Sequence, residues 1–285
     1  MIVSSQPRNP QWLLPGQFWI ERVGIGPIGS GGLGRVYRVR VVRSRAPTMP
    51  VGSEWAAKYL NEKWTRHPEA RARFEREIAA LHRMTHPNIV ACFGENLPGG
   101  ERFYIMPLFS SSVRRSIAAK GRLTDWRPVA AWGAILADAL HYAHGMGFVH
   151  RDLKPDNILF NPGDQLTIAD WGLGYFVHRE SKVLQHLTRG GLGTEYYCSN
   201  EQWVTGKCDA RGDIYSLGMT LDEWVTGRQR PIRVGDGLGT DCVHTTSPGA
   251  RDFNALLRCM PQRSREHRPA SMAWVSAELR EAARR

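Results

Sequence analysis

The run His150-Arg151-Asp152-Leu153-Lys154-Pro155-Asp156-Asn157, followed by Asp170-Trp171-Gly172, constrains this chain more than any other feature. It sets a carboxylate, an ammonium, an amide and a second carboxylate on neighbouring loops. Those are the groups needed to hold metal ions beside an incoming hydroxyl.

A second cluster lies upstream, in the order such chemistry requires. Gly29-Ser30-Gly31-Gly32-Leu33-Gly34-Arg35-Val36 is flanked by strand-like Phe18 to Val23 and Val36 to Val42. A Gly-rich turn inside a hairpin lets backbone N–H groups approach phosphates without Cβ interference, although most such turns are only turns. The hairpin precedes Trp55-Ala56-Ala57-Lys58. Lysine occurs at only six positions (58, 63, 120, 154, 182 and 207), and two of them fall in these segments. From Arg71 to Met84, Phe74, Ile78 and Leu81 recur at helical spacing and set Glu77 beside the apolar stripe. Taken alone, Glu77 is one helix-surface glutamate near Glu69 and Glu75; Phe-x-x-Glu-Ile ahead of His86-Pro87-Asn88-Ile89-Val90 singles it out.

These segments together resemble the eukaryotic-like Ser/Thr protein kinase family. The catalytic-loop pattern HRDLKPxN is met at residues 150–157, DFG at 170–172 with Trp in the middle place, and GxGxxGxV at 29–36, while Trp55-Ala56-Ala57-Lys58 stands where the family has VAIK. The resemblance implies an α+β, two-lobed fold: a small β-rich N-lobe with one main helix and a larger, mostly α-helical C-lobe. It divides the chain into a tail at 1–15 and a kinase domain at 16–282, with the N-lobe about 16–106, hinge about 107–112 and C-lobe about 113–282. The implied activity is transfer of the γ-phosphoryl of ATP to Ser/Thr hydroxyls of a protein substrate, with Mg²⁺, or Mn²⁺, as the metal.

By the same resemblance Asp152 is the base, Lys154 neutralises charge on the transferring group, Lys58 pairs with phosphates and is clamped by Glu77, and Asn157 and Asp170 hold metal. Gly29, Ser30, Gly31 and Gly34 form the phosphate loop, and Val36, Ala56 and Leu159 sandwich adenine. Met106 is the gatekeeper, and Pro107 and Phe109 offer adenine a carbonyl and an N–H. Proline at 107 leaves that carbonyl intact. Leu81, Cys92, His150 and Trp171 map onto the family's regulatory stack, with a buried indole N–H needing a partner. Glu201 is expected to pair with Arg268, and Asp213 to brace the catalytic loop. Lys154 and Thr194 resemble serine/threonine rather than tyrosine kinases. An activation segment from Asp170 to Glu201 is expected to autophosphorylate at Thr188, with Ser181 second, the phosphate being held by Arg151 with Arg189 or Arg179.

Composition bounds the rest. The 285 residues suit one two-lobed domain, and five cysteines without a CxxC pair indicate neither a disulfide framework nor a zinc site. A cytoplasmic location is expected, since no signal-peptide pattern is present and the most apolar stretch, Val129 to Ala143, is too short to span a membrane. The net charge of +11 is spread along the chain, so no clear nucleic-acid site is indicated, and oligomeric state is not legible. The competing readings are a pseudokinase scaffold, which usually lacks one of the lysine, base or metal ligands, and a small-molecule phosphotransferase, which usually lacks the GT-x-x-Y-x-x-x-E segment found here at 193–201.

Overall fold

The computed structural model describes residues 11–14, 18–31, 33–96, 102–173, 196–229, 243 and 247–285, with backbone alone at 11–14. They divide into two compact units, one from residues up to Arg83 with Val90–Phe109, the other from Met84–Ile89 with Ser110–Arg285. The kinase-type fold expected from the resemblance is what the chain adopts: one unit is a sheet with a single long helix, the other is mainly helical.

In the first unit, strands β1 (Gln11–Leu14), β2 (Phe18–Arg22), β3 (Gly29–Ser30), β4 (Gly34–Ser44), β5 (Glu54–Leu60), β6 (Gly94–Asn96) and β7 (Phe103–Met106) form one antiparallel sheet in the order β1-β2-β4-β5-β7-β6, with β3 on β4. Register decides which residues share a face. Val36 lies opposite Lys58, Lys58 opposite Tyr104, and Ala56 opposite Met106, so these five residues occupy one face. The alternate residues Val39, Val41, Ala57, Tyr59, Phe103 and Ile105 are buried on the other, with Phe18, Ile20 and Met49. The expected tail at 1–15 is corrected by β1, which pairs Gln11 with Ile20 and Leu14 with Phe18. Pro10 and Pro15-Gly16 read as tail punctuation, but the four residues between them complete the hydrogen-bonding edge of β2.

Helix α1 (Pro68–Arg83) starts with proline in its first turn, an acid at Glu69 and basic groups at its end, which suits the helix dipole. Its buried residues Ala70, Arg73, Phe74, Glu77, Ile78, Ala80 and Leu81 include two charged side chains, Arg73 and Glu77.

The second unit is built around a buried helix. Its helices are α2 (Val113–Lys120), α3 (Arg127–Gly145), α4 (Asn200–Thr205), α5 (Ala210–Thr226), α6 (Pro248–Cys259) and α7 (Met272–Arg284), and its three strands β8 (Ser111–Ser112), β9 (Ile158–Phe160) and β10 (Leu166–Ile168) form a small antiparallel sheet. Helix α5 is capped by Asp209, which accepts from the Arg211 N–H at 2.9 Å, and ends at Gly227 in the left-handed region. Ile214, Leu217, Leu221 and Trp224 are all buried, as the sequence periodicity predicts, and Trp132 stacks on Trp224 at 4.9 Å. Helix α3 packs tightly because it has Gly133 at the contact: a Cβ there would lie 2.9 Å from Leu221 Cδ1. None of the described helices is long and apolar enough to cross a membrane.

The expected Glu201–Arg268 pair is present. The Arg268 guanidinium, wholly buried, donates to both carboxylate oxygens at 2.7 and 2.9 Å, and also to the carbonyls of Gln262, Arg211 and Arg263. Such a fork is the strong form of the interaction. Burial pushes the Glu201 carboxyl up, yet the Arg268 hydrogen bonds and charge outweigh it, so its pKa lies below the ordinary value. A carboxylate depressed in this way contributes stability above its unfolded pKa and loses it as pH falls through the folded one. Glu201→Gln is therefore expected to destabilise the protein by about 3 kcal/mol near neutral pH, the low end for a broken buried pair. Urea unfolding of both proteins checks this; the gap should close in acid, below the usual carboxylate range.

Candidate active site

The first unit holds a buried ion pair. Lys58 Nζ donates to Glu77 Oε1 at 2.7 Å, and the Tyr104 hydroxyl donates to the same oxygen at 2.9 Å. Strand register explains the convergence: Tyr104 is the cross-strand neighbour of Lys58, on the sheet face that meets α1, where its ring lies 5.8 Å from Phe74. The sequence leads one to expect a partly solvated pair formed only when the helix swings in. That expectation is corrected: Lys58 is 8% and Glu77 1% exposed, and the pair is made. The difference arises because Tyr104, which sequence reading missed, lies beside the lysine and completes the acceptor's hydrogen bonding. No alternation marks it, since all four residues of Phe103–Met106 are buried; the signal available was a hydroxyl inside an apolar run, which needs a partner.

In the glycine-rich turn, Gly34 is fixed by sterics. A Cβ there would lie 2.8 Å from the Tyr59 carbonyl oxygen and 3.4 Å from the Lys58 side chain. Gly31 is different, since an added Cβ would meet nothing of the protein within 4 Å. Gly29 and Ser30 form β3 against β4, Val36 lies half-buried on β4, and Ala56 and Met106 are buried cross-strand partners. Pro107 and Phe109 follow β7 and are half-buried.

The second unit holds the catalytic-type loop. The Lys154 ammonium donates to both Asp152 carboxylate oxygens at 3.2 and 3.0 Å. Asn157 Nδ2 donates to the Asp152 carbonyl at 2.7 Å and to its carboxylate at 3.2 Å. Asp152 is thus fixed from two sides with its side chain only 10% exposed. Burial pushes its pKa up; Lys154 pulls it down and the nearby Asp170 charge pushes it up, leaving it above the ordinary value. Leu159, half-buried, lies on β9 just beyond this loop.

The loop is held by Asp213, the wholly buried residue in the first turn of α5. Its carboxylate accepts the backbone N–H of His150 and of Arg151, both at 2.8 Å, and meets His144 Nε2 at 2.8 Å. The aspartate braces the loop as expected. It is not the helix cap, a role filled by Asp209. Full burial pushes the Asp213 carboxyl up, but the His144 hydrogen bond, nearby charge and the Arg151 N–H bring its pKa below the ordinary value. His144 and Gln202, whose amide donates to the Arg151 carbonyl at 2.6 Å, escaped sequence reading because nothing local marks them.

His150 links the two loops. Its Nδ1 accepts the Asp152 N–H at 3.2 Å and its Nε2 donates to the Ala169 carbonyl at 3.0 Å, which sets the tautomer. Trp171 packs on the imidazole at 4.7 Å, and its indole N–H finds the partner it needs, the Ile168 carbonyl at 3.2 Å. Arg151 and Asp170 both have left-handed backbone, at φ 66° and 64°. For non-glycine residues that costs on the order of 1 kcal/mol each, strain of the kind that collects at functional sites.

Asn157 and Asp170 offer oxygen atoms suited to a hard divalent cation. The Asn157 nitrogen is engaged with Asp152, which turns the amide oxygen to the ligand role, and a cation would relieve the repulsion between Asp152 and Asp170. The residues fit the metal. Thr188, Thr194, Ser181, Arg179 and Arg189 lie outside the described residues.

Asp156 is engaged by Arg114, which donates to it at 3.1 Å and also to Glu223 and to the Tyr197 hydroxyl.

Removing one partner of a buried pair leaves the other charge stranded. Lys58→Met is accordingly expected to cost about 3–5 kcal/mol of stability, well beyond the 0–1 kcal/mol of an exposed pair. Denaturant titration measures it, and a loss below about 1 kcal/mol would mean the pair is solvated in solution.

Comparison with known proteins agrees with this geometry. The family model described as protein kinase domain matches residues 23–246. The chain is 34% identical over 263 residues to the DNA damage-responsive serine/threonine-protein kinase RqkA of Deinococcus radiodurans, a match covering 88% of this chain and 36% of that protein. It is 32% identical over 231 residues to the serine/threonine-protein kinase PknL of Mycobacterium tuberculosis, covering 79% and 54%, and 29% identical over 272 residues to the serine/threonine-protein kinase pkn3 of Myxococcus xanthus, covering 88% and 48%. It therefore spans between 36% and 54% of the length of these relatives. With the family model matched over more than half of the 285 residues, and the loop, brace and ion pair in place, this chain belongs to the protein kinase domain family.

Proposed function

We propose that the chain is a serine/threonine protein kinase that transfers the γ-phosphoryl of ATP to protein hydroxyl groups. The observation that carries the reading is the Asp152 carboxylate, buried and held by Lys154 and Asn157 on a loop braced from beneath by Asp213. The catalytic domain is taken as residues 16–282 together with β1, which pairs with its first strand, and 107–112 is taken as the stretch of chain that connects its lobes.

Each residue has a role in this reading. Asp152 orients the substrate hydroxyl and accepts its proton; the upward push on its pKa brings it nearer the working range of a base. Lys154 neutralises charge gathering on the transferring group. Asn157 and Asp170 hold Mg²⁺ or Mn²⁺. A divalent cation held there supplies neutralisation of phosphate charge. Lys58, kept in place by Glu77, meets the α and β phosphates, and the backbone from Gly29 through Ser30 and Gly31 to Gly34 cradles them. The open space around Gly31 supports that use, since no packing against the protein requires glycine there. Val36, Ala56 and Leu159 contact adenine beside Met106, and the Pro107 carbonyl and Phe109 N–H read its edge. Phosphoryl transfer has a loose transition state, so positioning and charge carry most of the catalysis. A cytoplasmic location fits the absence of a spanning helix among the described residues.

Asp152→Ala is expected to lower turnover by about 10²–10⁴-fold while sparing nucleotide binding. Asp170→Ala should weaken both. Labelled-ATP transfer to a generic basic substrate and nucleotide titration separate the two effects, and near-normal turnover in the Asp152 variant would end the assignment. The acid limb of the wild-type kcat profile should lie above the range of an ordinary aspartate, because a raised pKa removes the ionised base sooner as pH falls.

Regulation through the activation segment belongs to the same proposal. Arg151 Nε is buried without a hydrogen-bond partner among the described residues, which supports a phosphate partner for it. A phosphate on Thr188, or second on Ser181, would bring about −1.5 to −2 charges and several acceptor oxygens. Mass spectrometry after incubation with Mg-ATP is expected to find it in the wild type and not in an Asp152→Ala control. Its absence from both residues in an active enzyme would mean that packing alone orders the segment.

A further inference from the structure

We infer that His82, Cys92 and Glu95 form a binding site for a transition-metal ion of the zinc type, separate from the nucleotide metals and lying wholly within the first unit. His82 Nε2, Cys92 Sγ and a Glu95 carboxylate oxygen all lie within 4.8 Å of one another. They come from different elements: His82 from the last turn of α1, Glu95 from β6, and Cys92 from the segment leading into it.

Strand register produces the convergence. Glu95 lies opposite Tyr104, on the sheet face that meets α1, whereas Gly94 lies opposite Ile105 and packs against Phe18 on the other face. The carboxylate is therefore directed toward the helix whose end carries His82, and the two side chains meet at 2.5 Å. Cys92 Sγ approaches the same carboxylate oxygen at 3.8 Å. The thiol faces an anionic oxygen and an imidazole, and burial pushes its pKa up to about 12, so it rests protonated until a metal takes the proton's place.

The donor set selects the ion. One sulfur, one imidazole nitrogen and one carboxylate oxygen suit Zn²⁺ or Co²⁺ better than Mg²⁺ or Ca²⁺, which take oxygen. Tetrahedral zinc bonds of about 2.0–2.3 Å require ligand separations of roughly 3.3–3.6 Å. The His82–Glu95 contact opens and the widest separation contracts by about an ångström each to meet that requirement. The His82 side chain is 49% exposed and can make the adjustment by rotation, leaving a fourth position for water. On binding, the thiol proton leaves to solvent and the thiolate takes its place on the metal. The cysteine spacing gives no sign of a zinc site in the sequence, because the three donors come together only in the fold.

The bound ion would tie the end of α1, the helix carrying Glu77, to β6. The test uses tag-free, full-length protein freed of metal, and its readouts do not depend on kinase activity. Titration with Zn²⁺ alone by calorimetry is expected to show one site and a raised melting temperature. Co²⁺ alone should give tetrahedral d–d bands with a sulfur-to-cobalt charge-transfer absorption. His82→Ala, Glu95→Gln and Cys92→Ala should each lower Zn²⁺ affinity by at least about ten-fold. His82→Ala and Glu95→Gln alter partly exposed groups, so folding, checked by circular dichroism, should survive them. Absence of binding by the folded wild type, a Co²⁺ spectrum without the sulfur band, or binding unchanged in those two folded variants would overturn the inference.

Discussion

Asp213 carries the constraint on which the rest of the second unit depends. A carboxylate taken wholly out of water costs several kcal/mol unless donors replace the water. Here the donors are the N–H groups of His150 and Arg151, with the His144 imidazole completing the set. The compensation works only with those two amides side by side, and Arg151 adopts a positive φ at that point. That turn sends the Arg151 carbonyl to Gln202, and the Asp152 N–H to His150, whose other nitrogen holds Ala169. One buried charge thus fixes the base and the segment entering Asp170.

The first unit solves a different problem. A sheet cannot bury two apolar faces here and also present a lysine, so alternation assigns one face to Phe103, Ile105, Ala57 and Tyr59 and the other to Lys58, Tyr104 and Ala56. Slipping the register by one residue would exchange the faces. The core therefore enforces the position of the lysine, and Gly34, with no room for a Cβ against Tyr59, fixes where β4 begins.

Much of this was legible from the chain because the chemistry concentrates in short runs. Residues 150–157 and 170–172 are contiguous, and the stripe around Glu77 and the spacing in α5 are helical periodicities. What the sequence did not disclose is long-range. His144 reaches Asp213 across 69 residues and Arg114 reaches Glu223 across 109, and neither carries a local mark. β1 was read as tail because prolines bracket it, while its pairing depends on an open edge that only the folded sheet offers. The solvation of the Lys58–Glu77 pair was misjudged for the same reason, since burial depends on Tyr104 and on the packing of α1.

That burial also says why the pair is there. A buried ion pair is commonly no more stabilising than well-packed apolar residues of the same volume, because desolvation cancels most of the attraction. A stability optimum alone would favour apolar residues at both 58 and 77, continuous with Ala56 and Met106 on the same face. The chain instead places an ammonium at 8% exposure and spends a helix glutamate and a tyrosine hydroxyl on holding it. In the proposed function the paired charge serves the nucleotide phosphates beside the glycine turn, a use that stability alone does not require. The cost of such a group is tolerable only where its partners are pre-arranged, which strand register and the helix stripe achieve before any ligand arrives.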